Sequence, residues 1–260
     1  MIESGIVWTG AGVRQAIERL GQTSSFAAHT IYVAFRHPPS LSSVVQQIDA
    51  IGIRSMSIVI LTAVFSSMVI TLQFGEQLAR FGAREWTGNV VAVSLAREMA
   101  PVMTALMVGG RVGAGIAAEL GSMAVTDQID AVRALGADPF RKLVVPRVIA
   151  TTFTLPLLST IALALGVCGG ALIHAADGYA TASHFYNAAL RSVTLDDYLS
   201  GLTKTVFFGF SIGVIACQRG MHTRGGTLGV GRATTETVVT TSVVTLVSDF
   251  FLTRLFMSIG

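Results

Sequence analysis

From Ser55 to Phe74 the chain carries no charged residue. A helix needs about 20 apolar residues to cross the hydrocarbon core of a bilayer, and this stretch supplies them. Four further runs come after it. The second, Val90–Ala118, holds Arg97, Glu98 and Arg111, and the third, Ile149–Ala175, holds Pro156. The fourth, Tyr198–Cys217, holds Lys204, and the fifth, Thr237–Met257, holds Asp249 and Arg254. Composition agrees. Hydrophobic residues make up 52% and charged residues 13%, against about 25% charged in a soluble domain. Intrinsic disorder is excluded on the same ground, and two cysteines exclude a disulfide scaffold. Glycine without a G-X-Y period suits close-packed membrane helices. The expected fold is all-α: a polytopic membrane protein of five transmembrane helices.

Residues 1–52 form a separate expectation. They carry charges throughout and lack the compact apolar run of a cleavable signal. Val13, Ala16, Ile17 and Leu20 fall on one helical face, with Arg14, Glu18 and Arg19 off it. After His37-Pro38-Pro39, Ser40 can cap a second helix with Leu41, Val44, Val45, Ile48 and Ile51 on one stripe. Such helices lie in the membrane interface or pack on the protein's own bundle; the pattern allows both. Residues 53–260 then form the membrane domain.

Basic residues crowd the segments that would share one side. Arg14, Arg19, Arg36 and Arg54 precede the first span, Arg133, Arg141, Lys142 and Arg147 follow the second, and Arg219, Arg224 and Arg232 follow the fourth. The positive-inside rule makes that side cytoplasmic, with the N-terminus inside and the C-terminus outside. A basic stripe with interleaved aromatics is missing, so nucleic acid is not an expected partner.

Charges inside spans are costly, about 2.5 kcal/mol or more each on insertion scales. Arg97 and Glu98, and Lys204 and Asp249 in later spans, are therefore candidates either for a polar path or for a structural cluster. Gly109, Gly110, Gly113 and Gly115 around Arg111, and Gly166 with Gly170, read as close-packing faces. Cys168 and Cys217 read as small buried hydrophobes. Between the second and third spans, Glu119–Pro139 reads as a short helix capped by Thr126, apolar through Ile129, Val132 and Leu135, and ended by Gly136 and Asp138-Pro139. Neither lysine follows a glycine, so the chain holds no G-x-x-x-x-G-K-[ST] phosphate loop. The five histidines show no metal-ligand spacing, and no catalytic motif is present. No catalytic residue, metal or cofactor is expected in the chain.

The run AREMAPVMTALMVGGRVGAGIAAELGSMAVTDQIDAVRALGADPFRKLVVPRVIA, Ala96–Ala150, resembles the core signature of the MlaE/YrbE permeases. The likeness extends to Ser55–Gln73, LPLLS at Leu155–Ser159, GRATTETVV at Gly231–Val239 and the span around Asp249, and weakens before Arg54 and in 177–200. The resemblance implies a homodimeric permease subunit of a lipid ABC transporter in the inner membrane. It implies a partner ATPase that holds the ATP and Mg, an MCE-domain protein outside, and often a STAS-domain regulator. Glu119–Pro139 would be the coupling helix, with Glu119, Gly121, Asp127, Asp130 and Arg133 as docking residues. A lipid pocket would involve Ile70, Gln73, Gln77, Leu78, Phe81, Arg97 and Glu98, with Lys204 and Asp249 at matching charged positions. Gln77 departs from the family, whose members often carry an apolar residue there. Two other readings stay open: an ion-coupled secondary transporter using Glu98 and Asp249, and a scaffold that anchors an MCE protein without moving lipid.

Overall fold

Every long apolar run is helical, and no strand occurs among the described residues. The structure is a computed structural model. It describes residues 2–178 and 181–259, with the side chains of 2–17, 19 and 259 outside the description. Five stretches are long and apolar enough to cross a membrane: Leu41–Arg80, Arg84–Val125, Phe140–Ala176, Leu195–Met221 and Gly226–Ser258. The chain is thus an all-α polytopic protein with the expected five spans, each longer than its apolar run.

Helix α1 (Ile2–Arg36) stops where Pro38 and Pro39 follow His37, because proline lacks an N–H and disfavours helix in the residue before it. Its later half packs on the bundle through buried Phe26, Thr30 and Val33. The Phe26 ring lies 5.0 Å from Phe140, and Thr23 Oγ1 donates to Gln218 Oε1 at 2.7 Å. Leu20, Ile31, Tyr32 and Phe35 remain exposed. The helix therefore docks on its own bundle and still presents a second apolar surface. The start of the expected stripe, Val13, Ala16 and Ile17, lies outside the described side chains, as do Arg14 and Arg19.

Ser40 caps α2 (Leu41–Arg80), its Oγ accepting the Ser43 N–H at 3.4 Å. The expected interfacial helix and the first span are one unbroken helix, about 60 Å long at 1.5 Å per residue. Gly52 does not interrupt it. One glycine costs a helix only about 1 kcal/mol, and here it admits the Thr154 methyl, which would stand 3.2 Å from a Cβ.

The second span joins α3 (Thr87–Ser94), α4 (Ala100–Val108) and α5 (Ala114–Val125) through π-helical turns at Leu95–Met99 and Gly109–Gly113. Then come α6 (Gln128–Ala134), α7 (Val145–Ala176), α8 (Ala182–Ser192), α9 (Leu195–Met221) and α10 (Gly226–Ile259). Helix α9 is innermost, with Phe208, Ile212, Ala216 and Cys217 buried. Its glycines permit this: a Cβ on Gly209 would meet the Thr151 carbonyl oxygen at 2.6 Å. Gly109 and Gly113 face Ile212, Thr237 and Thr241, and Gly170 faces Thr71 and Ser67. Gly110 and Gly115 instead face open space, so only part of the expected small-residue face is used within the chain. Cys217 is buried as expected, but Cys168 is exposed, because it stands on the outward side of α7 beside the inward Gly169 and Gly170.

Helix α8 was not expected. It is a short amphipathic helix before α9 that buries Phe185 and Ala189. Gly88 and Gly170 leave room for it, and the Phe185 ring lies 5.3 Å from the His174 ring.

Candidate functional site

The intramembrane charges converge. Lys204 lies about 14 Å into α9 at 1.5 Å per residue and is 1% exposed. A buried ammonium costs several kcal/mol unless it is well paired, and here four oxygens surround it. Lys204 Nζ donates to Glu98 Oε1 at 2.8 Å, to Thr253 Oγ1 at 2.7 Å and towards the Arg97 carbonyl at 3.1 Å. Asp249 Oδ1 is 3.1 Å away as an ion pair and has no hydrogen bond of its own. Spans two, four and five are thereby tied through one side chain.

A proline explains the contact with the Arg97 carbonyl. Pro101 has no N–H to return to that oxygen, so it is left available to a donor from another helix. The extra residue of a π turn also shifts the register of the helix beyond it. Arg97 and Glu98 sit inside this turn and serve two different partners. Glu98 goes to Lys204. The Arg97 Nε–H goes to Asp197 Oδ1.

Asp197 closes the arrangement. It is the third residue of α9, and its Oδ2 accepts the backbone N–H of Thr194 at 2.9 Å and the Thr194 hydroxyl at 2.8 Å, while Thr194 Oγ1 accepts the Asp197 N–H. This reciprocal cap fixes the start of α9 and aims the other carboxylate oxygen at Arg97. The Asp197 side chain is 4% exposed, whereas those of Arg97 and Glu98 are 51% and 37% exposed. One edge of the cluster is therefore open.

The other expected pocket residues occupy the last turns of α2. Gln73, Gln77 and Phe81 are exposed, and Ile70 and Leu78 are half-buried. Ile70 packs against the cluster of Val91, Leu95, Ala171 and Phe185, as does Met99, the neighbour of Glu98. Among the described residues no hydrogen bond or ion pair joins this stripe to Arg97 or Glu98.

At the opposite end of the bundle, Glu119–Pro139 contains the expected short helix, but it starts differently. Helix α5 continues to Val125, the chain turns at Asp127 in the left-handed region (φ 57°), and the separate α6 ends before Gly136 (φ 74°). Thr126 does not cap α6: its hydroxyl donates back to the Ser122 carbonyl at 2.8 Å. Ile129 is buried, but Leu135 projects 86% exposed. Glu119 binds Arg147 at 2.7 Å, and Gly121 lies against Thr223. Asp130 pairs with Arg133 at 2.7 Å. Asp127, Asp130 and Arg133 line one wall of a cavity of about 1260 Å³, faced by α1 through Phe26 and His29, by the end of α9 through Arg219 and by the α9–α10 turn through Arg224.

The Permease MlaE family model matches residues 44–255. The chain belongs to the MlaE permease family. A probable ABC transporter permease protein of Rickettsia felis is 39% identical over 242 residues, 93% of each chain. One from Synechocystis is 41% identical over 210 residues, covering 81% of this chain and 80% of the relative. The chloroplastic protein TRIGALACTOSYLDIACYLGLYCEROL 1 of Arabidopsis thaliana is 38% identical over 211 residues, 81% of this chain and 60% of its own. The protein is therefore an ABC transporter permease of the MlaE family with a multi-pass membrane fold.

In this MlaE permease, Arg97, Glu98, Lys204 and Asp249 come together, and sequence reasoning missed two of their partners. Asp197 was visible as the end of a Thr-x-x-Asp capping pattern at Thr194. Thr253 was visible as the residue one helical turn after Asp249.

Proposed function

We propose that this MlaE permease moves a phospholipid or related lipid between the inner membrane and an MCE-protein channel, working as a homodimer driven by a separate ATPase. The observation that carries the reading is the open edge of Arg97 and Glu98, a charged rim held by buried partners at spans that otherwise present apolar surface. A two-tailed lipid needs that combination of apolar wall and few polar groups. On α2, Phe65, Val69, Leu72 and Phe74 are exposed on the approach to Phe81. The name of the Arabidopsis relative, that of a galactolipid, supports a lipid cargo.

Energy comes from a partner, since the chain holds no phosphate loop. Helix α6, whose Ile129, Asp130 and Arg133 line the 1260 Å³ cavity and which is followed by the exposed Leu135, is the surface we assign to the ATPase. That end carries Arg133, Arg219, Arg224 and Arg232, which by the positive-inside rule supports a cytoplasmic assignment for it and a periplasmic one for the C-terminus. An MCE-domain protein then sits at the Arg97 end.

Photocrosslinking tests the pocket. A photoreactive residue at Leu78 or Phe81, in membranes supplied with radiolabelled phospholipid, is expected to give a lipid adduct that competes with unlabelled lipid. Adducts no stronger than those from Leu135, at the far end, would overturn the assignment.

A further inference from the structure

The open edge of the cluster has two chemically different halves. Among the described residues, Arg97 commits only its Nε–H, to Asp197. A guanidinium carries five N–H donors in a planar fork suited to phosphate, and this side chain is half exposed. On Glu98, Oε1 takes Lys204 at 2.8 Å and Thr253 at 3.1 Å, which leaves Oε2 as the outward acceptor of a partly exposed carboxylate. The two residues are adjacent in one helical turn, so a donor fork and an anionic acceptor stand side by side.

The balance of the cluster points the same way. Arg97 is matched by Asp197, while Lys204 is shared between Glu98 and Asp249. By formal charge three carboxylates meet two cations, so the cluster as a whole is one positive charge short, and Glu98 is its most exposed carboxylate. An anionic headgroup would satisfy Arg97 and leave Glu98 facing its own charge. A headgroup that carries both a phosphate and an ammonium would satisfy both.

We propose that Arg97 and Glu98 select zwitterionic phospholipids, the phosphate resting on the free Nη edge of Arg97 and the headgroup ammonium on Glu98 Oε2. This rests on the lipid pocket proposed above and adds the headgroup class. Asp197 is then a positioning residue: it holds Arg97 by Nε so that the Nη edge faces outward.

The test uses the full chain in nanodiscs of equal parts phosphatidylethanolamine and phosphatidylglycerol, with the lipid retained after purification quantified by mass spectrometry. Retained lipid should be enriched in phosphatidylethanolamine by about two- to fivefold over the bulk, the range of one exposed ion pair. Glu98→Gln keeps the size and the oxygen offered to Lys204 and should abolish the enrichment while lipid is still retained. Glu98→Asp keeps the charge and should preserve the preference. Retained lipid at the bulk ratio, or enriched in phosphatidylglycerol, in the unmodified chain would overturn the headgroup assignment and leave the pocket standing. The same holds for an unchanged preference in Glu98→Gln. Absence of any retained lipid would instead overturn the pocket itself, and with it this inference.

Discussion

Single residues set the largest energies here. Lys204 compensates two carboxylates from two other spans, and removing one partner of a buried pair costs about 3–5 kcal/mol because the remaining charge stays buried. Lys204→Met is therefore expected to lower thermal stability in detergent sharply. Asp249→Asn should cost clearly less, because Glu98, Thr253 and the Arg97 carbonyl still hold the ammonium. Melting curves of the two variants side by side check this order; equal losses would contradict it. The charged residues themselves were legible, since a charge in an apolar run stands out by its cost. Their pairing was not. Arg97 and Glu98 are neighbours in sequence but take different partners a hundred residues away, and only the helix packing decides which.

At the scale of elements, the spans were legible because lipid demands long apolar runs, and helix ends were legible at Ser40 and at Pro38-Pro39. Helix α8 was not, because its burial depends on Gly88 and Gly170 leaving space for Phe185 on other helices. The start of α6 was legible, but its cap was not: Asp127 in the left-handed region stands where Thr126 was expected, and aspartate tolerates that region without announcing it. Packing of α9 against α7 rests on missing side chains. Gly209→Ala would push a methyl to 2.6 Å from the Thr151 carbonyl oxygen, an overpacking expected to cost about 1–3 kcal/mol. A lowered melting temperature and an increased rate of proteolysis near α9 would report it. A variant as stable as the original would mean that the two helices do not approach as described.

Over the whole molecule, apolar side chains point outward as well as inward. Val239, Val243, Val247 and Phe250 are exposed along α10, as expected where lipid is the solvent. Leu135 is more exposed still, but just past the short α6 between spans. The two surfaces should respond differently to charge. Val243→Lys, near the middle of α10, is expected to cost about 2.5–3.5 kcal/mol of insertion free energy, visible as a loss of membrane-integrated chain. Leu135→Lys should leave integration unchanged. Equal integration of the two variants would show that α10 does not meet lipid.

The Lys204 knot also imposes an order on biosynthesis. Spans enter the membrane from the N-terminal end, so Arg97 and Glu98 arrive in the second span before Asp197 and Lys204 exist on α9, and before Asp249 and Thr253 exist on α10. Until then the second span carries charges that lipid disfavours. The newborn chain must shelter that helix at the edge of the insertion machinery, and it can release it fully only when α9 arrives to neutralise it. Synthesis of the last two spans is thus the step that makes the second one a membrane helix.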